Sequence, residues 1–331
     1  MSARYPRLIF DDRSTRANRT TGWERYCRQL LAALGDHVVA AGLGGRCVAA
    51  RLRADWITLP YLARRGAVIH YPTFPPLAID RPFVWTVHDL TWWKFPQFSS
   101  RLGRAYYARF ARRALGSGIL IADSYAIADE LTCDFDVAEE RLVVARLGCT
   151  PLPRPAPEIA RFAGVRPFIL MVGSIEPRKN LVAAVNAYRT SGVSKTHDLR
   201  IFGRLAWGVL PQGAILESDL SDQRLAELYA TASALLVPSF YEGFGLPLIE
   251  GLASGTPVLC SDIPAFREVG ATYCRYFDPY SSESMVDAFR QAAVIERAPV
   301  PEAWLGQFTW AKCAEDTLRA YTRVLRLAGH L

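Results

Sequence analysis

Four side chains in the second half of the chain are spaced so that they could act on a phosphorylated, hydroxyl-rich ligand. Arg178 and Lys179 lie in Ile175-Glu-Pro-Arg-Lys-Asn-Leu181, directly after the apolar run 168–174 and ahead of a helical segment. Two cations at a helix start, beside unpaired backbone N–H groups, make a site for an anion, and above all for one whose charge grows as a bond to phosphate breaks. Glu242 and Glu250 lie in Pro238-Ser-Phe-Tyr-Glu-Gly-Phe-Gly-Leu-Pro-Leu-Ile-Glu-Gly-Leu-Ala-Ser-Gly-Thr-Pro-Val258. Gly243 and Gly245 let the backbone approach a ligand and Pro247 suits a first helical turn, which places one carboxylate on the loop and the other on the helix. Carboxylates so placed can accept hydrogen bonds from vicinal hydroxyls.

These loops need strands to hold them. Short β-branched runs alternate with longer amphipathic segments, the pattern of parallel strands joined by crossover helices. Strands are expected over 7–10, 67–71, 83–88, 118–124 and 142–145, and over 168–174, 199–203, 234–239, 257–261 and 275–278. The fold class is therefore α/β, with two Rossmann-like domains facing across a cleft. Gly148-Cys-Thr-Pro-Leu-Pro-Arg-Pro-Ala-Pro157 carries four prolines and marks the junction. The expected division is a first domain over 1–150, a linker over 151–165 and a second domain over 166–331. Apolar residues at Trp310, Cys313, Ala314, Leu318, Tyr321, Val324 and Leu325 predict a long C-terminal helix, assigned with the second domain.

At 331 residues, half of them hydrophobic and 21% charged, the chain has the size of two globular domains. No run of about 18 uncharged apolar residues could cross a bilayer. Asp11 and Asp12 interrupt the start too early for a signal peptide, so a cytoplasmic protein is expected. Seven scattered cysteines without a C-x-x-C pair predict buried free thiols. The net charge of +7 is uneven: residues 1–155 hold 22 Lys+Arg against 14 Asp+Glu, and residues 156–331 hold 17 against 18. A basic first domain points to an anionic partner.

The sequence resembles glycosyltransferase family 4, retaining enzymes of the GT-B fold. The matching segments are Met171-Val-Gly-Ser-Ile-Glu-Pro-Arg-Lys-Asn-Leu181, the Glu242 to Glu250 motif, Pro257-Val-Leu-Cys-Ser-Asp-Ile-Pro264 and Val87-His-Asp89. The resemblance implies that Arg178 and Lys179 bind the diphosphate, Glu250 the ribose and Glu242 the transferred sugar. By the same likeness, the amides of Phe244, Gly245 and Leu246 face phosphate and sugar, the backbone around Leu220 contacts the base, and Gly203 and Gly243 line the donor site. His88 becomes a partner of the donor sugar, with Asp89 orienting it or capping the next turn. The loop Ser14-Thr-Arg-Ala-Asn-Arg-Thr-Thr-Gly22 resembles a phosphate loop but has only Gly22 of the usual glycine pair; Arg19 and Thr21 are its other candidates.

The co-substrate implied is a nucleotide sugar, GDP-mannose on the likeness of Glu-Pro-Arg-Lys-Asn-Leu to bacterial polysaccharide mannosyltransferases, with UDP and dTDP sugars as alternatives. No metal or other cofactor is expected. Asp134-Phe-Asp136 has metal-site spacing but no strand end to present it. The acceptor implied is a saccharide or lipid-linked saccharide. Residues 101–113, arginines interleaved with aromatics, could rest on an anionic membrane at the inner face of the plasma membrane. A nicotinamide enzyme is excluded, because Phe10 is followed by Asp-Asp-Arg-Ser and not by G-x-G-x-x-G. No nucleic-acid reading module is recognisable. A non-catalytic sugar-binding protein is the rival from another class.

Overall fold

The computed structural model describes residues 8–16, 22–43, 52–73, 81–98, 101–150, 152–153, 166–206, 208–217 and 220–330, the side chains of Tyr106 and Tyr107 aside. They form two units, Met1–Gly148 with Phe308–Leu331, and Cys149–Gln307. The linker expected over 151–165 lies outside the described residues except at 152 and 153.

The first unit runs β1 (Leu8–Phe10), α1 (Gly22–Leu34), β2 (Val39–Ala40), a π turn (Ala54–Thr58) continuing into α2 (Leu59–Arg64), β3 (Val68–Tyr71), β4 (Phe83–Val87), α3 (Thr91–Lys94), α4 (Arg101–Leu115), β5 (Ile119–Ala122), α5 (Tyr125–Phe135) and β6 (Leu142–Val144). All pairings are parallel, in the order β2-β1-β3-β4-β5-β6. Strands β3, β4 and β5 are buried at every position. That is why they read as unbroken apolar runs and not as alternating ones.

The second unit runs β7 (Phe168–Val172), α6 (Leu181–Ser191), β8 (Asp198–Phe202), β9 (Ile215–Leu216), α7 (Asp222–Thr231), β10 (Ala234–Val237), α8 (Leu246–Ala253), β11 (Val258–Ser261), α9 (Pro264–Gly270), β12 (Cys274–Phe277), α10 (Ser282–Ala292) and α11 (Glu302–Leu305). Its sheet is also parallel, in the order β12-β11-β10-β7-β8-β9. The chain runs from β7 through β8 to β9 on one side and then crosses from β9 to β10 on the other, so the sheet reverses between β7 and β10. A crevice at such a reversal is where open α/β sheets bind ligands.

Helix α12 (Trp310–Leu327) belongs to the first unit, which corrects its assignment to the second domain. Its buried stripe of Trp310, Cys313, Ala314, Thr317, Ala320, Tyr321 and Val324 packs on α1 and on β4, β5 and β6. Each large apolar side chain buried there contributes about 2 kcal/mol. The periodicity identifies the apolar face correctly but carries no information about which sheet that face covers. A buried polar chain pins the docking: the hydroxyl of Tyr321 lies 2.8 Å from His70 Nδ1, His70 Nε2 lies 2.9 Å from Thr86 Oγ1, and Thr86 Oγ1 lies 2.8 Å from the hydroxyl of Tyr26. Burial drives the His70 pKa down to about 3, so the ring is neutral and can donate from one nitrogen and accept at the other.

Among the described cysteines, Cys27, Cys260, Cys274 and Cys313 are buried free thiols, whereas Cys133 is exposed on α5. No described helix is long and apolar enough to cross a membrane.

Candidate active site

The strands on either side of the reversal in the second sheet deliver three of the expected side chains to one point. After β7 the chain enters a 3₁₀ turn, Pro177–Lys179, whose last two residues are Arg178 and Lys179. Asn180 then takes a left-handed conformation, φ 57, and its side-chain amide donates to the Pro279 carbonyl at 3.1 Å. After β10 the loop is tied back by the Phe240 N–H, which donates to the Arg178 carbonyl at 3.0 Å. Glu242 then sits between both cations: its Oε2 accepts from Arg178 Nη1 at 2.6 Å and its Oε1 from Lys179 Nζ at 2.5 Å. Ser239 Oγ adds a third donor at 2.8 Å.

Besides Ser239, two participants were not singled out in the sequence. Glu176 Oε1 accepts from Arg178 Nη2 at 2.8 Å, and the Tyr241 carbonyl accepts from Nη1 at 2.7 Å. Glu176 and Ser239 both lie inside the motif segments, but a lone acid and a lone serine there have no distinctive spacing. With Glu176 and Glu242 against Arg178 and Lys179, the cluster is charge-balanced. Burial alone would raise the Glu242 pKa, but Arg178 and Lys179 pull it down to about 2. Glu242 thus keeps its charge across the physiological range.

Gly243, Phe244 and Gly245 are buried in the loop that follows. Gly245 has φ +109, and a Cβ there would lie 2.8 Å from the Phe266 ring, so the turn into α8 demands glycine twice over. Leu246 opens the helix, and Glu250 follows on it, 4% exposed, accepting at Oε2 from the Tyr229 hydroxyl at 3.2 Å. Gly203 has a structural reason to be glycine: a Cβ would lie 1.8 Å from the Gly173 carbonyl oxygen, and a Cβ at Gly173 would lie 3.3 Å from Lys179 Cε. Leu220 is half-buried just ahead of α7. A small recess at the ends of β7 and β10 is lined by Gly173, Ser174, Lys179 and Ser239 among others.

In the first unit, His88 follows β4 as expected, but its ring is fully engaged. Nδ1 lies 2.6 Å from Asp123 Oδ2 and Nε2 lies 2.7 Å from the Pro72 carbonyl. A carbonyl can only accept, so Nε2 carries a proton, and the carboxylate holds a second on Nδ1. Burial, which would lower the His88 pKa, is outweighed by Asp123, and the pKa is raised. Both ring donors of His88 therefore have buried partners in this structure. Asp89 does not orient His88 but caps the next turn, accepting from the Thr91 N–H at 2.9 Å. The orienting acid is Asp123, just past β5; a single acid at a strand end gave no signal. Trp23 stacks on the His88 ring, centroids 6.0 Å apart.

Gly22 is the first residue of α1. Arg19 and Thr21 lie outside the described residues. Asp134 pairs with Lys94 at 2.6 Å, and Asp136 closes α5 in a left-handed conformation, φ 51.

Residues 156–298 match the family model for glycosyl transferases group 1. The matched residues all lie within the second unit. O-antigen chain mannosyltransferase B of Escherichia coli is 27% identical over 300 residues, covering 81% of this chain and 77% of that protein. The serotype-specific mannosyltransferase WbdA of Escherichia coli is 31% identical over 193 residues, covering 53% of this chain; the match spans only 23% of WbdA. Among solved structures, Anabaena HepE in complex with UDP and glucose superposes with a TM-score of 0.66 at 14% identity, covering 98% of this chain and 97% of that one. Two parallel six-stranded sheets with a long C-terminal helix are the architecture the chain shares with such GT-B proteins.

Proposed function

We propose that the protein transfers a hexosyl or deoxyhexosyl unit, mannosyl from GDP-mannose first among them, to a hydroxyl of a saccharide or lipid-linked saccharide in surface polysaccharide synthesis. The supporting observation is the Arg178–Lys179–Glu242 cluster at the reversal of the second sheet, within a unit whose relatives are named mannosyltransferases. Lys179 carries three N–H donors and Glu242 takes one. The others suit the oxygens of a departing diphosphate, where charge grows in the transition state. Glu242 accepts from two cations and a serine, which makes its oxygens poor nucleophiles, and no other group among the described residues presents itself as one. Retention through front-face displacement follows, with the leaving phosphate taking the acceptor proton. Glu250 on α8 takes the ribose hydroxyls, and no metal takes part.

The acceptor is membrane-borne in this reading. Residues 101–115 contain no acid, and Arg101, Arg104, Arg109, Arg112 and Arg113 are exposed along α4. A thermal-shift panel of GDP, UDP and dTDP tests the donor assignment: a nucleotide at 100 times its dissociation constant adds about 2.7 kcal/mol of stability. GDP giving the largest shift supports mannosyl transfer from GDP-mannose. A larger shift with UDP or dTDP moves the donor to that base, and no shift with any of them defeats the enzyme reading.

A further inference from the structure

The continuous helical stretch 52–64 buries Ala54, Leu59, Pro60 and Ala63 against its own unit, and its other side leaves four large apolar side chains in the open. Leu52 is 50% exposed, Trp56 58%, Ile57 62% and Tyr61 55%. Spaced at 52, 56, 57 and 61, they share one helical face. Scattered apolar residues on a surface need no explanation, but a contiguous aromatic and aliphatic face does.

Charge identifies the partner. Arg53, Arg64 and Arg65 are exposed around this face, and Asp55 is the segment's single acid. Asp55 is turned inward, its side chain 9% exposed and paired with Arg13. Arg65 Nη1 donates to the Tyr61 hydroxyl at 3.0 Å, leaving the ring apolar and its tip polar. An apolar face rimmed by arginines and containing Trp and Tyr matches the boundary between acyl chains and anionic headgroups.

Topology adds a second observation. The step from β1 to β2 and the step from β2 to β3 run in opposite directions across the sheet, so right-handed crossovers put 52–64 on the face opposite α1. The step from β4 to β5 runs the same way as that from β2 to β3, so α4 lies on this face too. A symmetric pairing with a second copy would set Arg53, Arg64 and Arg65 of each chain against one another, which disfavours that occupant.

We infer that Leu52, Trp56, Ile57 and Tyr61 insert shallowly into the anionic surface of a lipid bilayer, as the apolar anchor of the first unit. The inference extends the membrane reading of α4, from charge attraction alone to insertion. Vesicles of equal parts phosphatidylglycerol and phosphatidylcholine, some with brominated acyl chains, provide the test. The intact chain should co-sediment with them, and Trp56→Gln/Ile57→Gln/Tyr61→Gln should partition at least about tenfold less while melting at the same temperature. Trp56→Phe should still bind but lose part of the quenching by brominated lipid. Arg101→Gln/Arg104→Gln separates the two readings: if it binds as the intact chain does, α4 attraction is discarded and insertion stands. The inference is overturned if the triple variant binds normally, if Trp56→Phe is quenched as fully as the intact chain, or if the intact chain ignores anionic vesicles. Concentration-dependent dimerisation abolished by the triple variant, without vesicle binding, would make a second copy the occupant. The nucleotide panel should be unchanged in the triple variant, so donor binding and membrane insertion fail independently.

Discussion

Both sheets carry charged side chains past the carboxyl ends of their strands, yet the two ends are finished differently. In the second unit, Arg178, Lys179 and Glu242 meet across the sheet reversal, balanced in charge once Glu176 is included, and Lys179 lines a recess. In the first unit, the corresponding ion pair of His88 and Asp123 lies past β4 and β5, with both imidazole nitrogens bonded internally and the ring covered by Trp23 and Tyr26. A strand end is a place where chemistry can be mounted, and the saturation of its hydrogen bonds decides whether it is. The lysine keeps donors in reserve; the histidine has none.

Four experiments would sharpen or break this contrast, the largest effect first. Replacing Asp123 with Ala removes one half of a buried pair and should cost about 3–5 kcal/mol in denaturant unfolding. A loss below about 1 kcal/mol would mean that the pair is not holding the first unit. Lys179→Ala should leave the protein folded but lower turnover by about 10²–10³. Turnover within a few-fold of the parent would remove Lys179 from the chemistry and make the two strand ends alike.

Tyr321→Phe takes the hydroxyl away from His70 Nδ1 and should cost about 1–3 kcal/mol, read from the thermal midpoint. An unchanged midpoint would show that α12 docks by apolar contact alone.

The smallest effects are those of pH, and their signs differ by site. His88 has a raised pKa, so its stabilisation is full below about 6.5 and declines as pH climbs through the folded value. His70 is depressed to about 3, so its stabilisation is full above about 6.5 and declines as pH falls toward 3. Glu242, held at about 2, loses its share only between about 4.3 and 2. Unfolding free energy should therefore decline on both sides of neutrality, with the alkaline limb absent in His88→Gln. A persistent alkaline limb in that variant would assign it to another group.

Much of this was legible in the residue order. Ten strands announced themselves because most of the positions across them are buried, and the motifs of the second unit announced their own loops. Strands β2 and β9 did not: each is two residues long, at a sheet edge, and exposed, so neither carries an apolar run. Arg178, Lys179 and Glu242 could be named from spacing, but their mutual pairing could not, since the sequence separates them by more than sixty positions. Asp123 was invisible for the same reason, being assigned its role by a histidine thirty-five residues away. The ownership of the last helix was hidden because amphipathicity specifies a face and not its neighbour.

The return of α12 has a practical corollary for anyone dividing the gene. The second unit is an insertion within the first, so trimming the chain after Gln307 would not shorten the second unit but would strip the cover from the first. A fragment spanning 149–307 has both its ends at unit boundaries and is the piece suited to independent expression. The remainder can be rebuilt only by joining the two flanks across the excision.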